Sequence, residues 1–381
     1  MRLPVTPPAA PAHLLMTTDS VGGVWTYALD LAQELAASGL RVTLAVLGPS
    51  PQEDQTAAAR AIPGLEFFDT GLPLDWMAEN PAAIRRGAEA LGTLARRLDV
   101  DLVHLNSPAL VADAGFTVPV VGVCHSCLAT WWAAMHGRAP MPGDFRWRIE
   151  ALARGYRACD ALAAPSGAFA QATTAVYGLP PPVVVRNGRR PPPPGGASDR
   201  RERFVFTAGR LWDDGKNIAT LDAAAALLEA PVVAAGPLDG PGGNHRVLRH
   251  ARALGRLDAA SVAAWLARAP VFASTALYEP FGLTVLEAAQ AGCALVLSDI
   301  ATFRELWDGA ALFVEPRDSA ALAATIRRLL DDPAEAGRLG EAARLKAGQY
   351  GMESMASGMR SLYRSVLARH TPTPSRKEAV A

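Results

Sequence analysis

The chain has 381 residues, with 37 Lys plus Arg balanced by 37 Asp plus Glu, and half of its residues are hydrophobic. This composition excludes a disordered chain and offers no broad basic face for nucleic acid. The length suits two domains, each with its own core.

Residues 1–11, rich in Pro and Ala, read as a flexible tail whose prolines break any signal-peptide core. No apolar run approaches the ~18 residues of a membrane span. The expected location is therefore the cytoplasm. His13–Thr17 begins a strand, Asp19 to Gly23 makes a glycine turn, and a helix follows over 24–38 before a strand at 41–47. This order is a βαβ unit and predicts a parallel sheet. Gly22 and Gly23 allow close approach of backbone to a ligand, but they do not form the G-x-G-x-x-G dinucleotide fingerprint.

Further strands are expected at 65–69, 102–105, 118–123, 161–164 and 183–185, with helices over 81–98, 142–159 and 166–177. Asp99-Val100-Asp101 has the D-x-D form of a metal motif, yet it precedes its strand, whereas ligands gather at strand carboxyl ends. Cys124 and Cys127 form a lone C-x-x-C without a second pair, so reduced, packed thiols and no metal site are expected. His125 stands at a strand's carboxyl end, where a neutral imidazole can meet a hydroxyl or a developing positive charge. Trp131, Trp132, Trp147 and Tyr156, with Arg138, Arg146 and Arg148, suit an acceptor groove, a membrane surface or simple core packing.

The proline run within 191–200 reads as a linker. After it comes a strand at 204–208 and the loop GRLWDDGKN, whose glycines enclose five residues where a phosphate-binding P-loop has four. Arg210 and Lys216 nevertheless leave that strand together. Repeating strands and helices follow to 314: a helix over 217–228, a strand at 232–235, a glycine-rich loop at 236–244, a helix over 259–267, and strands at 271–274, 294–297 and 311–314. Helices at 322–330, 334–347 and 352–369 close the chain, and 371–381 reads as a second tail. The most informative stretch is VFASTALYEPFGLTVLEAAQAG at 271–292: a buried strand, a loop with Glu279, Phe281 and Gly282, and a helix from Leu283 and Thr284 carrying Glu287. A helix opening after a glycine presents free N–H groups to a phosphate.

Glu279-x7-Glu287 with Pro-Phe-Gly between resembles the signature of the retaining GT-B glycosyltransferases of family 4, also called group 1 glycosyl transferases. Arg210 with Lys216 and the early glycine loop also match, and the resemblance runs from about residue 12 to 370. It implies an α/β architecture of two doubly wound Rossmann-like domains facing across a cleft: an acceptor-side domain over 12–190, completed by a returning helix at 352–370, and a nucleotide-sugar domain over 201–351. It implies further that Arg210 and Lys216 hold the diphosphate, Glu279 the donor sugar and Glu287 the ribose, with Gly22, Gly23 and His125 closing from the other side. Phe281, Gly282, Leu283 and Thr284 complete the donor site. No permanently bound cofactor is expected. The donor is a nucleoside-diphosphate sugar, UDP-sugar first, with GDP- or ADP-sugar as alternatives. The acceptor is a sugar, lipid or small-molecule hydroxyl, with no nucleic-acid partner and peripheral membrane contact left open. The competing readings are a GT-B nucleotide-sugar epimerase and a non-catalytic GT-B-like binding subunit. A pyridoxal phosphorylase is disfavoured, since Lys216, Lys346 and Lys377 are the only lysines and none suits a Schiff base.

Overall fold

The computed structural model describes residues 11–191, 201–240 and 243–370. The first half runs β1 (His13–Asp19), α1 (Gly23–Ala37), β2 (Arg41–Leu47), α2 (Glu53–Arg60), β3 (Leu65–Leu72), α3 (Pro81–Leu98), β4 (Leu102–Leu105) and β5 (Val120–Val123). It continues with α4 (Leu128–His136), α5 (Gly143–Ala158), β6 (Ala161–Ala164), α6 (Gly167–Tyr177) and β7 (Val183–Val184). Its strands form one parallel sheet in the order β3-β2-β1-β4-β5-β6-β7.

The second half runs β8 (Val205–Ala208), α7 (Ile218–Ala225), β9 (Val232–Ala235), β10 (Arg252–Gly255), α8 (Ala259–Arg268), β11 (Val271–Ser274), α9 (Leu283–Gln290) and β12 (Ala294–Ser298). Then come α10 (Ala301–Trp307), β13 (Ala311–Val314), α11 (Ser319–Asp331), α12 (Pro333–Ala347) and α13 (Met352–His370). These strands make a second parallel sheet, β10-β9-β8-β11-β12-β13. The fold class is the expected one, two doubly wound α/β units.

Parallel strands are buried on both faces and therefore read as continuous apolar runs. β4 (LVHL) and β12 (ALVLS) follow this rule and are buried throughout. The helix ends are set by ordinary chemistry. Asn80 caps α3 by accepting from the Ala83 N–H at 3.0 Å, with Pro81 in the first turn. Ser166 caps α6 through the Phe169 N–H at 3.2 Å, and Gly178 ends it with φ +61°.

Four elements lie where the sequence showed no element: α2, α4, β10 and α10. The expected first tail lies outside the described residues except for Pro11, the linker except for Pro191, and the second tail entirely. The D-x-D pair is a connection between elements. Asp99 ends α3 in the left-handed region, and Asp101 Oδ2 accepts from the Ala12 and His13 N–H groups at 2.8 and 2.9 Å. Cys127 caps α4, its sulfur accepting from the Thr130 N–H at 3.4 Å, and burial pushes the Cys124 thiol up to about 12. Among the described residues no helix is long and apolar enough to cross a membrane.

The helix α13 returns from the second half to pack on α1. Its Met355, Met359, Tyr363 and Val366 enter the same core as Tyr27, Leu31 and Leu35. The fully buried Tyr363 places its hydroxyl 2.6 Å from His104 Nδ1 on β4. Removing that hydroxyl strands a buried ring nitrogen, which costs about 1–3 kcal/mol. Tyr363→Phe should lower the denaturation midpoint accordingly; an unchanged midpoint would show that the bond contributes nothing.

Candidate functional site

In both sheets the strand order reverses once, between β1 and β4 and between β8 and β11. Connections leave such neighbours in opposite directions, which opens a crevice at their carboxyl ends. The first crevice receives the loop after β1 with Gly22 and Gly23, Asn106 after β4, and His125 after β5. The second receives Arg210 and Lys216 after β8, and Glu279 to Gly282 after β11. The two crevices share one cavity of about 430 Å³.

Gly23, His125, Arg210, Lys216, Glu279, Phe281, Gly282, Leu283 and Thr284 all line this cavity. Gly22 stands just behind Arg210: a Cβ added there would fall 2.7 Å from Arg210 Nη1. Lys216 Nζ forms an ion pair with Glu279 Oε2. Arg210 donates to Asp213 Oδ2 at 2.9 Å and lies 5.6 Å from the Trp212 ring. The Phe281 ring is buried against Tyr350, so this residue meets the cavity mainly through its backbone. Gly282 takes φ +93°, a conformation that side chains disfavour, and α9 begins with no side-chain cap on its first N–H groups.

Glu287 does not line the cavity. Its Oε1 accepts from Arg189 Nε at 2.8 Å, and Arg189 Nη1 donates in turn to Asp30 Oδ2 at 2.5 Å. This triad joins α1, the segment after β7, and α9. Burial raises the carboxyl pKa of both Asp30 and Glu287, and Arg189 pulls each back. Arg189 was not legible as a site residue in sequence, although it lies directly after Asn187 and Gly188.

Asn106 is the other residue that sequence reading missed; its position at a strand's carboxyl end was the available signal. Its Nδ2 donates to the Thr17 carbonyl at 2.6 Å, so its Oδ1 is the acceptor for both His125 Nε2 at 2.7 Å and His104 Nε2 at 3.0 Å. Both imidazoles therefore carry the proton on Nε2, which leaves His125 Nδ1 as an acceptor. The His125 ring also meets the Tyr27 edge, with centroids 4.5 Å apart. Burial, and next the neighbouring His104, lowers His125 to about 3.

Of the aromatic segment, Trp131 and Trp147 line the cavity. Trp132 instead packs on His136 and Phe145, and Tyr156 is buried against Tyr177. The Tyr278 hydroxyl accepts from the Cys127 N–H at 3.2 Å and lies 2.7 Å from Thr130 Oγ1, tying the loop after β11 to α4. Ser166 Oγ donates to the Pro280 carbonyl at 2.7 Å, and Glu305 accepts from the Gly167 and Ala168 N–H groups at 2.9 and 2.6 Å. Among the described residues no three His, Cys, Asp or Glu side chains converge as metal ligands would.

Comparison with known proteins divides along the same line as the two sheets. The family model described as Glycosyltransferase Family 4 matches residues 21–191, and the one described as Glycosyl transferases group 1 matches residues 202–332. A glycogen synthase of Mycobacterium tuberculosis is 42% identical over 122 residues, which are 31% of this chain and 30% of that protein. The MMP alpha-(1->4)-mannosyltransferase of Mycolicibacterium hassiacum is 37% identical over 112 residues, 28% of this chain and 27% of its own length. The chain thus matches under a third of the length of these curated relatives. Among solved structures, a sucrose-phosphate synthase from Thermosynechococcus elongatus covers 94% of this chain and 99% of its own, with TM-score 0.74 and 19% identity. Anabaena Alr3699/HepE in complex with UDP-glucose covers 93% and 99%, with TM-score 0.72 and 19% identity. At such identities these two show the fold alone.

A depressed histidine has a signature in stability. Below its ordinary value of 6.5 the unfolded chain takes up a proton that folded His125 refuses, so folding loses up to about 1.4 kcal/mol per pH unit as pH falls. This contribution is complete above that value and shrinks on acidification. Asp19, Asp75 and Glu287, whose pKa values desolvation raises, act with the opposite sign. The His125 share is therefore read as a difference between proteins. His125→Gln should lose less stability than wild type from about pH 6.5 to about pH 5, by at most ~2 kcal/mol; parallel curves would refute a neutral His125.

Proposed function

We propose that this chain, which belongs to the GT-B glycosyltransferases of family 4, group 1, moves a glycosyl group from a nucleoside-diphosphate sugar to a hydroxyl acceptor with its anomeric configuration kept. One observation carries this reading. Lys216 and Glu279 form an ion pair beside the uncapped start of α9, in the same cavity as Arg210 and His125. Two cations and a helix N-terminus suit a diphosphate, and a carboxylate next to them suits the hydroxyls of the sugar it carries.

In the reaction the bond between the anomeric carbon and the diphosphate oxygen breaks, and the acceptor oxygen bonds to the same face. The acceptor's proton passes to the departing diphosphate. Arg210, Lys216 and the Leu283 and Thr284 N–H groups hold the charge that builds on the leaving group. His125 Nδ1 accepts from a donor-sugar hydroxyl and Glu279 grips others, while Glu287, paired with Arg189 outside the cavity, holds α9 in place instead of meeting the ribose. Gly22 and Gly23 let the backbone close on the diphosphate, with Phe281 and Gly282 shaping its other wall. Since protein groups neutralise the diphosphate, transfer should proceed at full rate in EDTA. UDP is the nucleotide we assign, which the UDP-glucose complex of a structural neighbour supports. We assign 201–351 to the donor and 12–190 with 352–370 to the acceptor, and read a cytoplasmic enzyme whose Trp131 and Trp147 serve the acceptor rather than a membrane.

Thermal-shift measurements with UDP, GDP and ADP test the donor directly. UDP at about one hundred times its Kd should add about 2.7 kcal/mol of stability, and Arg210→Ala with Lys216→Ala should abolish the shift. A full shift in that double variant would refute the diphosphate assignment. Glu279→Gln should slow consumption of the UDP-sugar, seen by proton NMR, by about two to three powers of ten while UDP still binds. Parallel loss of UDP binding would move Glu279 from the sugar to the nucleotide.

A further inference from the structure

On the first-half side of the cavity lies a cation that the donor reading does not use. Arg148 on α5 lines the cavity, and its side chain is only 19% exposed. Its Nη1 donates to the Asp144 carbonyl at 2.9 Å and its Nη2 to the Ala78 carbonyl at 2.8 Å, while its guanidinium lies 4.4 Å from the Trp147 ring centroid. These contacts fix the guanidinium without neutralising it. Its ion-pair partner is Asp144, at 4.0 Å and with a carboxylate that is 75% exposed. Asp75 lines the same cavity, but burial pushes its carboxyl toward the neutral form. Arg148 Nε is buried and has no hydrogen-bond partner.

The contrast with the donor side is chemical. Arg210 is ion-paired with Asp213 and Lys216 with Glu279. Although Arg210 Nε is likewise buried and unbonded, both donor-side cations have a carboxylate at hydrogen-bond distance, which Arg148 lacks among the described residues. Arg148 is a fork of donors pinned at two of its five N–H groups, with a buried third unmet. Burying a charged donor without a partner is costly, and the usual remedy is an oxyanion that engages the fork in its plane. The aromatic wall of Trp147 and Phe145 beside it offers a flat apolar surface for the body of the same molecule.

We infer that Arg148 is the anion-binding residue of the acceptor site, and that the acceptor carries a phosphate or carboxylate in addition to the hydroxyl that is glycosylated. This rests on the glycosyl-transfer reading above for the word acceptor, but the anion site itself stands on geometry. A sugar phosphate and a lipid phosphate share this chemistry.

The test is calorimetry on the full chain saturated with UDP, so that the donor cations are occupied. Inorganic phosphate and a hexose 6-phosphate are titrated against the unphosphorylated hexose, and vesicles containing phosphatidylglycerol are tested by sedimentation. The phosphorylated sugar should bind roughly tenfold or more tighter than the neutral one in wild type. Arg148→Gln should erase this preference, and Arg148→Lys should keep part of it, since a point charge replaces the fork. UDP affinity should be unaltered in both variants, which also shows that they fold. Vesicle binding lost in Arg148→Gln would assign the anion to a lipid headgroup. The inference is overturned if the two hexoses bind alike and neither phosphate nor vesicles bind the wild type, or if every anion that binds does so undiminished in Arg148→Gln. Failure of UDP to bind wild type would instead sink the donor reading. The Arg148 site would then be read without nucleotide, by comparing phosphate binding to Arg148→Gln and to the Arg210→Ala, Lys216→Ala double variant.

Discussion

The adjacency of β8 and β11 is the constraint on which the site depends. These strands pair directly, Val205 with Val271 and Phe206 with Phe272, although a helix, two strands and another helix separate them in sequence. Parallel pairing sends both carboxyl ends to the same edge of the sheet, and the order reverses there, so no crossover covers the gap. Lys216 and Glu279, 63 residues apart, can then share a proton-bearing contact. Move either strand one place along the sheet and the pair separates by roughly 5 Å. The first half repeats the device, and β1, β4 and β5 deliver Gly23, Asn106 and His125 side by side.

Electrostatics divides the cavity into parts with different character. On the second-half side each cation already has a carboxylate, so a bound diphosphate has to compete with Asp213 and Glu279 for Arg210 and Lys216. Charges already fixed by such pairing suit preorganised stabilisation of a leaving group. On the first-half side the histidines are held neutral by burial, with Asn106 fixing both tautomers through one oxygen. A neutral ring can accept from a hydroxyl where an imidazolium cannot.

How much of this was legible in the sequence follows from physics rather than chance. The buried strands were, because a strand covered on both faces must be a short apolar run, as VFAS and ALVLS are. The signature loop was, because Gly282 and two glutamates at fixed spacing need a helix start. The surface helix α2 was not: EDQTAAAR has one buried residue and hence no apolar stripe. The edge strand β10 (RALG) is largely uncovered and pairs only with β9, so it has no alternation to betray it. α10 was missed because its buried Phe303, Leu306 and Trp307 span too short a stretch for a period to be counted. Glu287 illustrates the deeper limit. Its position on α9 was correct, but its pairing with Arg189 and Asp30 joins three distant segments, and no local pattern encodes a contact over such separations.

The return of α13 has a consequence for the order in which the protein assembles. Tyr363 meets His104 across 259 residues, and Met355, Met359 and Val366 fill a core that otherwise consists of residues made first. During synthesis the amino-terminal sheet therefore emerges with one flank open, exposing apolar surface until the ribosome has delivered the stretch from Met352 onward. The second sheet lacks this dependence and can settle earlier, which reverses the usual tendency of domains to fold from the amino terminus. Contacts of such range also make closure of the first unit slow.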